Sequence, residues 1–170
     1  MDTIVNSRFN RFKDAEWFLE SKATVLVGGA GGIGSWVCFL LARAGFKIYV
    51  CDFDMIEAHN LGGQLYSKVD IGKYKVDALA KIIEDFCDET ISKSYNKIDE
   101  NSMTAPLVIS AFDNMKARLD MFNSWQKVYG NNPKAIFIDG RLLAEQLYIY
   151  CITGGTDEES IERQKVYREG

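Results

Sequence analysis

Five glycines fall within the seven positions from Gly28 to Gly34, directly behind the apolar run Val25-Leu26-Val27. In a turn of this kind no Cβ stands between the backbone and a ligand, so N–H groups can approach phosphate oxygens closely. Gly29, Gly31 and Gly34 match the spacing G-x-G-x-x-G. Asp52 ends the next apolar run, 18 residues beyond Gly34, where a ribose hydroxyl needs an acceptor. So many glycines cost chain entropy, which weighs against a purely structural turn. The pattern predicts nucleotide binding.

Such a turn alone serves dinucleotide oxidoreductases and S-adenosylmethionine sites more often than any other class, so four further segments have to separate the possibilities. In Asp52-Phe-Asp54-Met-Ile-Glu57-Ala-His59-Asn60-Leu-Gly-Gly63-Gln64, two carboxylates stand two apart at a strand end, followed by Asn-Leu and Gln. An ordinary dehydrogenase lacks that arrangement. In Asp70-Ile-Gly-Lys-Tyr-Lys75, the last lysine opens a helix, where a cation opposes the dipole and wants another partner such as a polyphosphate. Against that stands the ordinary exposed helical lysine. In Ser110-Ala-Phe-Asp113-Asn-Met-Lys-Ala-Arg118, a carboxylate follows a buried strand, at the sheet edge where ligands are met. It suits a metal ligand, a helix N-cap, or both. Arg8 and Arg11 precede the first strand, with Asp14 and Glu16 near enough to be simple salt-bridge partners. His59 reads as a loop hydrogen-bonder, and Trp36 and Trp125 as packing residues on helices.

The elements that position these groups follow from periodicity. Strands are expected at Val25–Val27, Lys47–Asp52, Leu107–Ala111 and Ala135–Asp139, a weak edge strand at Ile91–Ile98, and a half-exposed antiparallel one at Gln146–Thr153. Helices are expected at Phe12–Glu20, at Gly34–Ala44 with Gly45 beyond its C-terminus, at Lys73–Asp88 and at Met115–Tyr129. After Gly155 the charged end suggests a terminal helix or a disordered tail. Alternation of this kind predicts a doubly wound, Rossmann-like α/β domain: a mainly parallel sheet, helices on both faces, and an antiparallel C-terminal strand. At 170 residues, with 47% hydrophobic content and two prolines, one domain with a full core is expected. The net charge of −4 offers no field for nucleic acid, and no apolar run reaches the ~20 residues that span a bilayer. The N-terminus lacks the build of a signal peptide. Cys38, Cys51, Cys87 and Cys151 form no C-x-x-C, and there is one histidine, so no zinc is expected. Cys38, Cys51 and Cys151 sit among apolar neighbours and read as buried reduced thiols of a cytoplasmic protein.

In order along the chain stand Arg8-Phe-Asn-Arg11, G-x-G-G-x-G at 29–34, D-x-D-x-I-E at 52–57, N-L-x-x-Q at 60–64, G-x-x-K-V at 72–76 and D-N-x-x-x-R at 113–118. This set resembles the ThiF/MoeB-like adenylyltransferases, the adenylation domain of the ubiquitin-activating enzymes, from Arg8 to about Thr153. The resemblance implies a single domain over residues 1–170, with an N-terminal helical arm (1–21) and a polar tail (156–170). It also implies ATP and Mg²⁺, and adenylation of the C-terminal glycine carboxylate of a small ubiquitin-like or sulfur-carrier protein with release of pyrophosphate. Carried across by position, Gly29, Ala30, Gly31, Gly32 and Gly34 form the adenosine and α-phosphate turn, and Asp52 accepts from the ribose. Asp54, Asn60, Gln64 and Lys75 belong to the nucleotide site, Asn60 and Lys75 against the phosphates, and Asp113 holds Mg²⁺. Arg11, Lys75 and Asp113 are then the catalytic set, Arg11 reaching the γ-phosphate of a partner subunit in a homodimer. One position departs from the family: Gly63 stands where a phosphate-binding arginine is usual, with Lys68 or Arg141 as candidate substitutes. The paired C-x-x-C motifs and the catalytic-cysteine loop are also missing, which implies the adenylation half-reaction only. Two other readings remain: a ThiF-like nucleotide-binding or interaction module without catalysis, and, behind it, an NAD-dependent oxidoreductase.

Overall fold

The computed structural model describes residues 10, 14, 15, 23–143 and 145–170. Arg11 and, apart from Asp14 and Ala15, the helix expected over Phe12–Glu20 lie outside the described residues. The sheet has six strands: β1 (Thr24–Gly28), β2 (Lys47–Cys51), β3 (Ser92–Ser94), β4 (Leu107–Ser110), β5 (Ile136–Leu143) and β6 (Gln146–Thr153). Their order is β3-β2-β1-β4-β5-β6, with every pairing parallel except β5 with β6. Among the described residues four α-helices accompany it: α1 (Gly34–Arg43), α2 (Lys75–Cys87), α3 (Met115–Tyr129) and α4 (Glu158–Glu169). This is the α/β Rossmann-like architecture that the alternation predicts. The strand order reverses between β1 and β4, so a crevice opens where the loops after those two strands diverge.

The two-residue period of the strands sorts the core into two layers. Val25, Val27, Ile48 and Val50 pack with Cys38 and Ala42 of α1 and Val76, Leu79 and Ile83 of α2. On the other face Leu26, Val108 and Phe137 pack with Met121, Phe122 and Trp125 of α3 and Tyr167 of α4. Trp125 is fully buried, as a packing residue should be.

Boundaries shift where local signals are weak. β3 is only three residues long, and β5 runs on to Leu143, because an eight-residue antiparallel register with β6 carries it past the parallel sheet. The charged end is helical: Asp157 caps α4 by accepting from the Ser160 N–H at 2.9 Å. One expectation is overturned. Cys151 is exposed, because β6 is the edge strand and leaves Gln146–Cys151 uncovered, whereas Cys38, Cys51 and Cys87 are buried.

Candidate nucleotide site

The crevice begins at the glycine turn. Gly29 has φ +90°, a backbone conformation open to glycine, and its N–H donates to the Cys51 carbonyl at 2.8 Å. A Cβ on Gly34 would lie 1.8 Å from the Gly29 carbonyl oxygen, so the first turn of α1 presses directly on the loop that precedes it. These contacts bring the end of β1, the start of α1 and the end of β2 to one point.

Asp52 stands there. Its Oδ2 accepts from the Ala30 N–H at 2.7 Å and its Oδ1 from the Asp54 N–H at 2.8 Å. Burial raises its pKa above the ordinary value of 3.8, and those two N–H groups and Lys75 oppose the rise. Each oxygen keeps further lone-pair capacity, so a diol could still be accepted. Tyr66, which sequence reasoning missed, donates its hydroxyl to the Ala30 carbonyl at 2.6 Å and braces the turn from below. No motif marks it, since it lies far along the chain and acts through the backbone.

Lys75 is not the ordinary exposed helical lysine. It is the first residue of α2 and is buried; its Nζ meets Asp54 Oδ2 at 2.8 Å, and its N–H donates to the Asp54 carbonyl at 2.9 Å. Asp113 is not the cap of α3. Asn114 takes that role, accepting from the Ala117 N–H at 2.8 Å, which leaves the Asp113 carboxylate on the cleft. Asn60 is buried and its carboxamide oxygen accepts from the Glu57 N–H at 2.8 Å, closing the turn Ala58–Gly62. Gln64 Oε1 is buried with no hydrogen-bond partner, an acceptor open to a ligand's donor.

The groups line a cleft with two adjoining lobes. The main lobe, about 530 Å³, is bordered by Gly29, Gly31, Gly32, Asp52 and Asp113, with apolar wall from Phe53 and Phe112. The outer lobe, about 470 Å³, is bordered by Glu57, His59, Asn60 and Gly63. Gly32, Asp54, Gln64, Lys75 and Asp113 border both. The structure thus gathers the sequence-predicted residues Asp52, Asp54, Asn60, Gln64, Lys75 and Asp113 into one crevice, with Ala30 behind Asp52 and Gly34 behind Gly29. It adds Lys97, Lys116 and Arg118 on the main lobe. Lys97, whose Nζ lies 4.8 Å above the Phe53 ring, falls within the edge strand expected over Ile91–Ile98 but stands in an irregular loop, because only Ser92–Ser94 pair with β2.

The candidate substitutes for the missing arginine lie elsewhere. Arg141 donates to Asp139 at 2.7 Å and lies over Tyr150, and Lys68 is exposed and borders neither lobe. Gly63 itself is tied in by its carbonyl, which accepts from the Trp36 indole N–H at 3.0 Å. Trp36 is half-exposed and serves as a strut between α1 and this loop rather than as core.

The donor set fits the groups that the resemblance implies. The glycine turn and Asp52 suit a phosphorylated ribose, and the unpartnered Gln64 Oε1 suits a hydroxyl or amine donor. Among the described residues no three His, Cys, Asp or Glu side chains gather into a protein metal cage. Magnesium does not need one, since it takes one or two carboxylates together with phosphate oxygens and water. Asp113, which borders both lobes, is placed where such a carboxylate could serve.

A crevice with an aspartate just after β2, a lysine opening α2 and an aspartate after β4 defines a Rossmann-like α/β domain with a candidate nucleotide site. The sequence profile of the ThiF family matches residues 9–132, and the chain belongs to that family. It is 34% identical to the SUMO-activating enzyme subunit uba-2 of Caenorhabditis elegans over 114 residues, 61% of this chain and 19% of that protein. It is 30% identical to the ubiquitin-like modifier-activating enzyme 5 of Drosophila grimshawi over 131 residues, 66% of this chain and 32% of that protein. The chain therefore spans less than a third of the length of these curated relatives. Among solved structures, E. coli MccB with ATP superposes with a TM-score of 0.69 at 21% identity, covering 89% of this chain and 49% of that one. E. coli tRNA N6-threonylcarbamoyladenosine dehydratase, TcdA, in complex with ATP gives 0.64 at 20% identity, covering 79% and 63%.

Proposed function

We propose that the chain binds ATP with Mg²⁺ and adenylates the C-terminal glycine carboxylate of a small ubiquitin-like or sulfur-carrier protein, releasing pyrophosphate. The observation that carries this reading is the convergence of the glycine turn, Asp52, Lys75 and Asp113 on one two-lobed cleft. In this reading Asp52 holds the ribose and the turn lies against the α-phosphate. Magnesium held by Asp113 supplies charge neutralisation on the phosphates when bound. The carrier's carboxylate oxygen forms the bond to the α-phosphorus as the bond to the pyrophosphate oxygen breaks. Lys75 faces the phosphate charge and draws on a position that Asp54 fixes. Arg11 acts across a homodimer in a reducing cytoplasm.

Family membership supports adenylation in general, and the ubiquitin-like relatives favour a protein carrier. A tRNA substrate, named for TcdA, fits a chain of net charge −4 poorly. A second reading is favoured by Gly63, which leaves the outer lobe without the family's arginine: a domain that holds nucleotide but does not turn it over. An NAD-dependent oxidoreductase fits least, because Asp54, Lys75 and Asp113 put charge where a dehydrogenase needs none.

ATP–pyrophosphate exchange with candidate carriers ending in Gly-Gly separates these readings. Exchange that needs ATP, Mg²⁺ and the carrier together, and is lost in Asp113→Ala, is expected. ATP binding without exchange across all carriers would leave the non-catalytic module, and NAD binding without ATP binding would overturn both.

A further inference from the structure

Beside the cleft, one buried carboxylate is shared by two arginines. Asp139, on β5, is fully buried. Its Oδ1 accepts from Arg118 Nη1, and its Oδ2 accepts from Arg141 Nε at 2.7 Å and from the Tyr167 hydroxyl at 2.9 Å. Arg118 Nη1 also donates to the Gly140 carbonyl at 2.9 Å. Three elements meet here: α3 through Arg118, β5 through Asp139 and Arg141, and α4 through Tyr167. Only Arg118 borders the nucleotide cleft. Arg141 borders a separate cavity of about 910 Å³ between β6 and α4, with its guanidinium 4.4 Å from the Tyr150 ring centroid and 5.5 Å from that of Tyr167.

The charges do not cancel. Burial, and then the adjacent Asp139, push the Tyr167 phenol well above its usual range, so it remains a neutral donor. Two guanidinium groups therefore face one carboxylate. Glu158, Glu159 and Glu162 of α4 border the same second cavity, but among the described residues no ion pair joins them to Arg141. Among the groups of the main lobe, Lys116 is matched by Asp120 and Lys75 by Asp54.

We propose that Arg141 is a positioning residue for anion binding in the cleft: by occupying Asp139 Oδ2, it leaves the charge of Arg118 only half neutralised toward the bound phosphates. The effect is electrostatic and acts from a side chain that never meets the ligand. Arg141 also fixes Asp139, and through it the guanidinium plane of Arg118. The inference rests on the cleft being the nucleotide site proposed above.

The test measures affinities for ATP, AMP, adenosine and inorganic tripolyphosphate in the wild type and in two charge-free variants. Arg141→Met keeps the apolar stem on Tyr150, and Arg141→Gln keeps a donor for Asp139. Either serves once thermal unfolding shows it folded. The expected result is a loss graded by ligand charge: roughly 3- to 10-fold for ATP and tripolyphosphate, less for AMP, none for adenosine. Arg141→Lys should restore the ATP affinity. Equal losses for all four ligands would reduce Arg141 to a structural brace and overturn the proposal, as would no loss at all. A wild type that binds tripolyphosphate but no adenine ligand, with the same graded loss, would retain this inference and overturn the ATP reading. A wild type that binds neither would overturn both.

Discussion

Placing an arginine at position 63 is the most informative single perturbation. The backbone accepts it: Gly63 has φ −140°, a Cβ built there meets nothing within 4 Å, and the bond to Trp36 uses the Gly63 carbonyl, which any residue keeps. The position is exposed, so Gly63→Arg should change stability by no more than about 0.5 kcal/mol. The outer lobe it would enter is bordered by Asp54, Glu57 and Asp113 against Lys75, so a further cation is favoured even before a phosphate arrives. A guanidinium about 4 Å from a phosphate charge gains about 4 kcal/mol at the effective dielectric of a protein surface. Ordering the side chain costs about 2 kcal/mol of rotamer entropy. The remainder, about 2 kcal/mol, corresponds to roughly 30-fold tighter ATP binding. Calorimetric titration of ATP into the wild type, Gly63→Arg and Gly63→Ala, with adenosine as the uncharged control, reads this directly. Two results would go against this: a folded arginine variant that binds ATP no better than the alanine variant, or a gain for adenosine as large as that for ATP. In either case residue 63 does not face the triphosphate.

Other consequences are open to simpler checks. Gly34→Ala sets a methyl against the Gly29 carbonyl, where no side chain can yield, and should cost more than about 3 kcal/mol in urea unfolding; a loss below about 1 kcal/mol would mean that the turn is not packed as described. The raised pKa of Asp52 makes its ionisation unfavourable to the fold, so its contribution to stability falls as pH rises from the unfolded value of about 3.8 through the folded one. Nucleotide affinity has the opposite sign: it should fall as pH drops through the folded pKa, where the carboxyl loses acceptor capacity, and Asp52→Asn should abolish that part of the pH profile. Thiol labelling of the native protein at neutral pH should proceed at exposed Cys151 and spare Cys38 and Cys51, whose thiols burial pushes up, that of Cys51 to about 12; modification of Cys51 at the rate of Cys151 would contradict the burial.

Much of the site was legible because its signals are local. The glycine turn, the carboxylate ending β2 and the carboxylate following β4 are each dictated by a strand end and its next few residues, and the sheet order brings those ends together. The two-residue and 3.6-residue periods gave α3 and β6 with the boundaries observed. What was not legible depends on which of several possible contacts each side chain makes. That Asn114, not Asp113, caps α3 is a matter of one hydrogen bond. The burial of Lys75 depends on Asp54, 21 positions earlier. Arg141 looked available for phosphate because Asp139, two residues earlier, does not reveal by itself that it is turned inward, and Tyr167, which completes the cluster, lies 28 positions beyond Asp139. The exposure of Cys151 follows from β6 being an edge strand, which an apolar neighbourhood cannot reveal.

Where the nucleotide lies can be seen outright in a crystal structure of the chain with ATP and Mg²⁺. It should show the ribose hydroxyls within hydrogen-bond distance of Asp52, the phosphates between the glycine turn and Lys75, and the metal on Asp113. Phosphates bound away from Gly29–Gly34, or a ribose that does not reach Asp52, would contradict the proposed site.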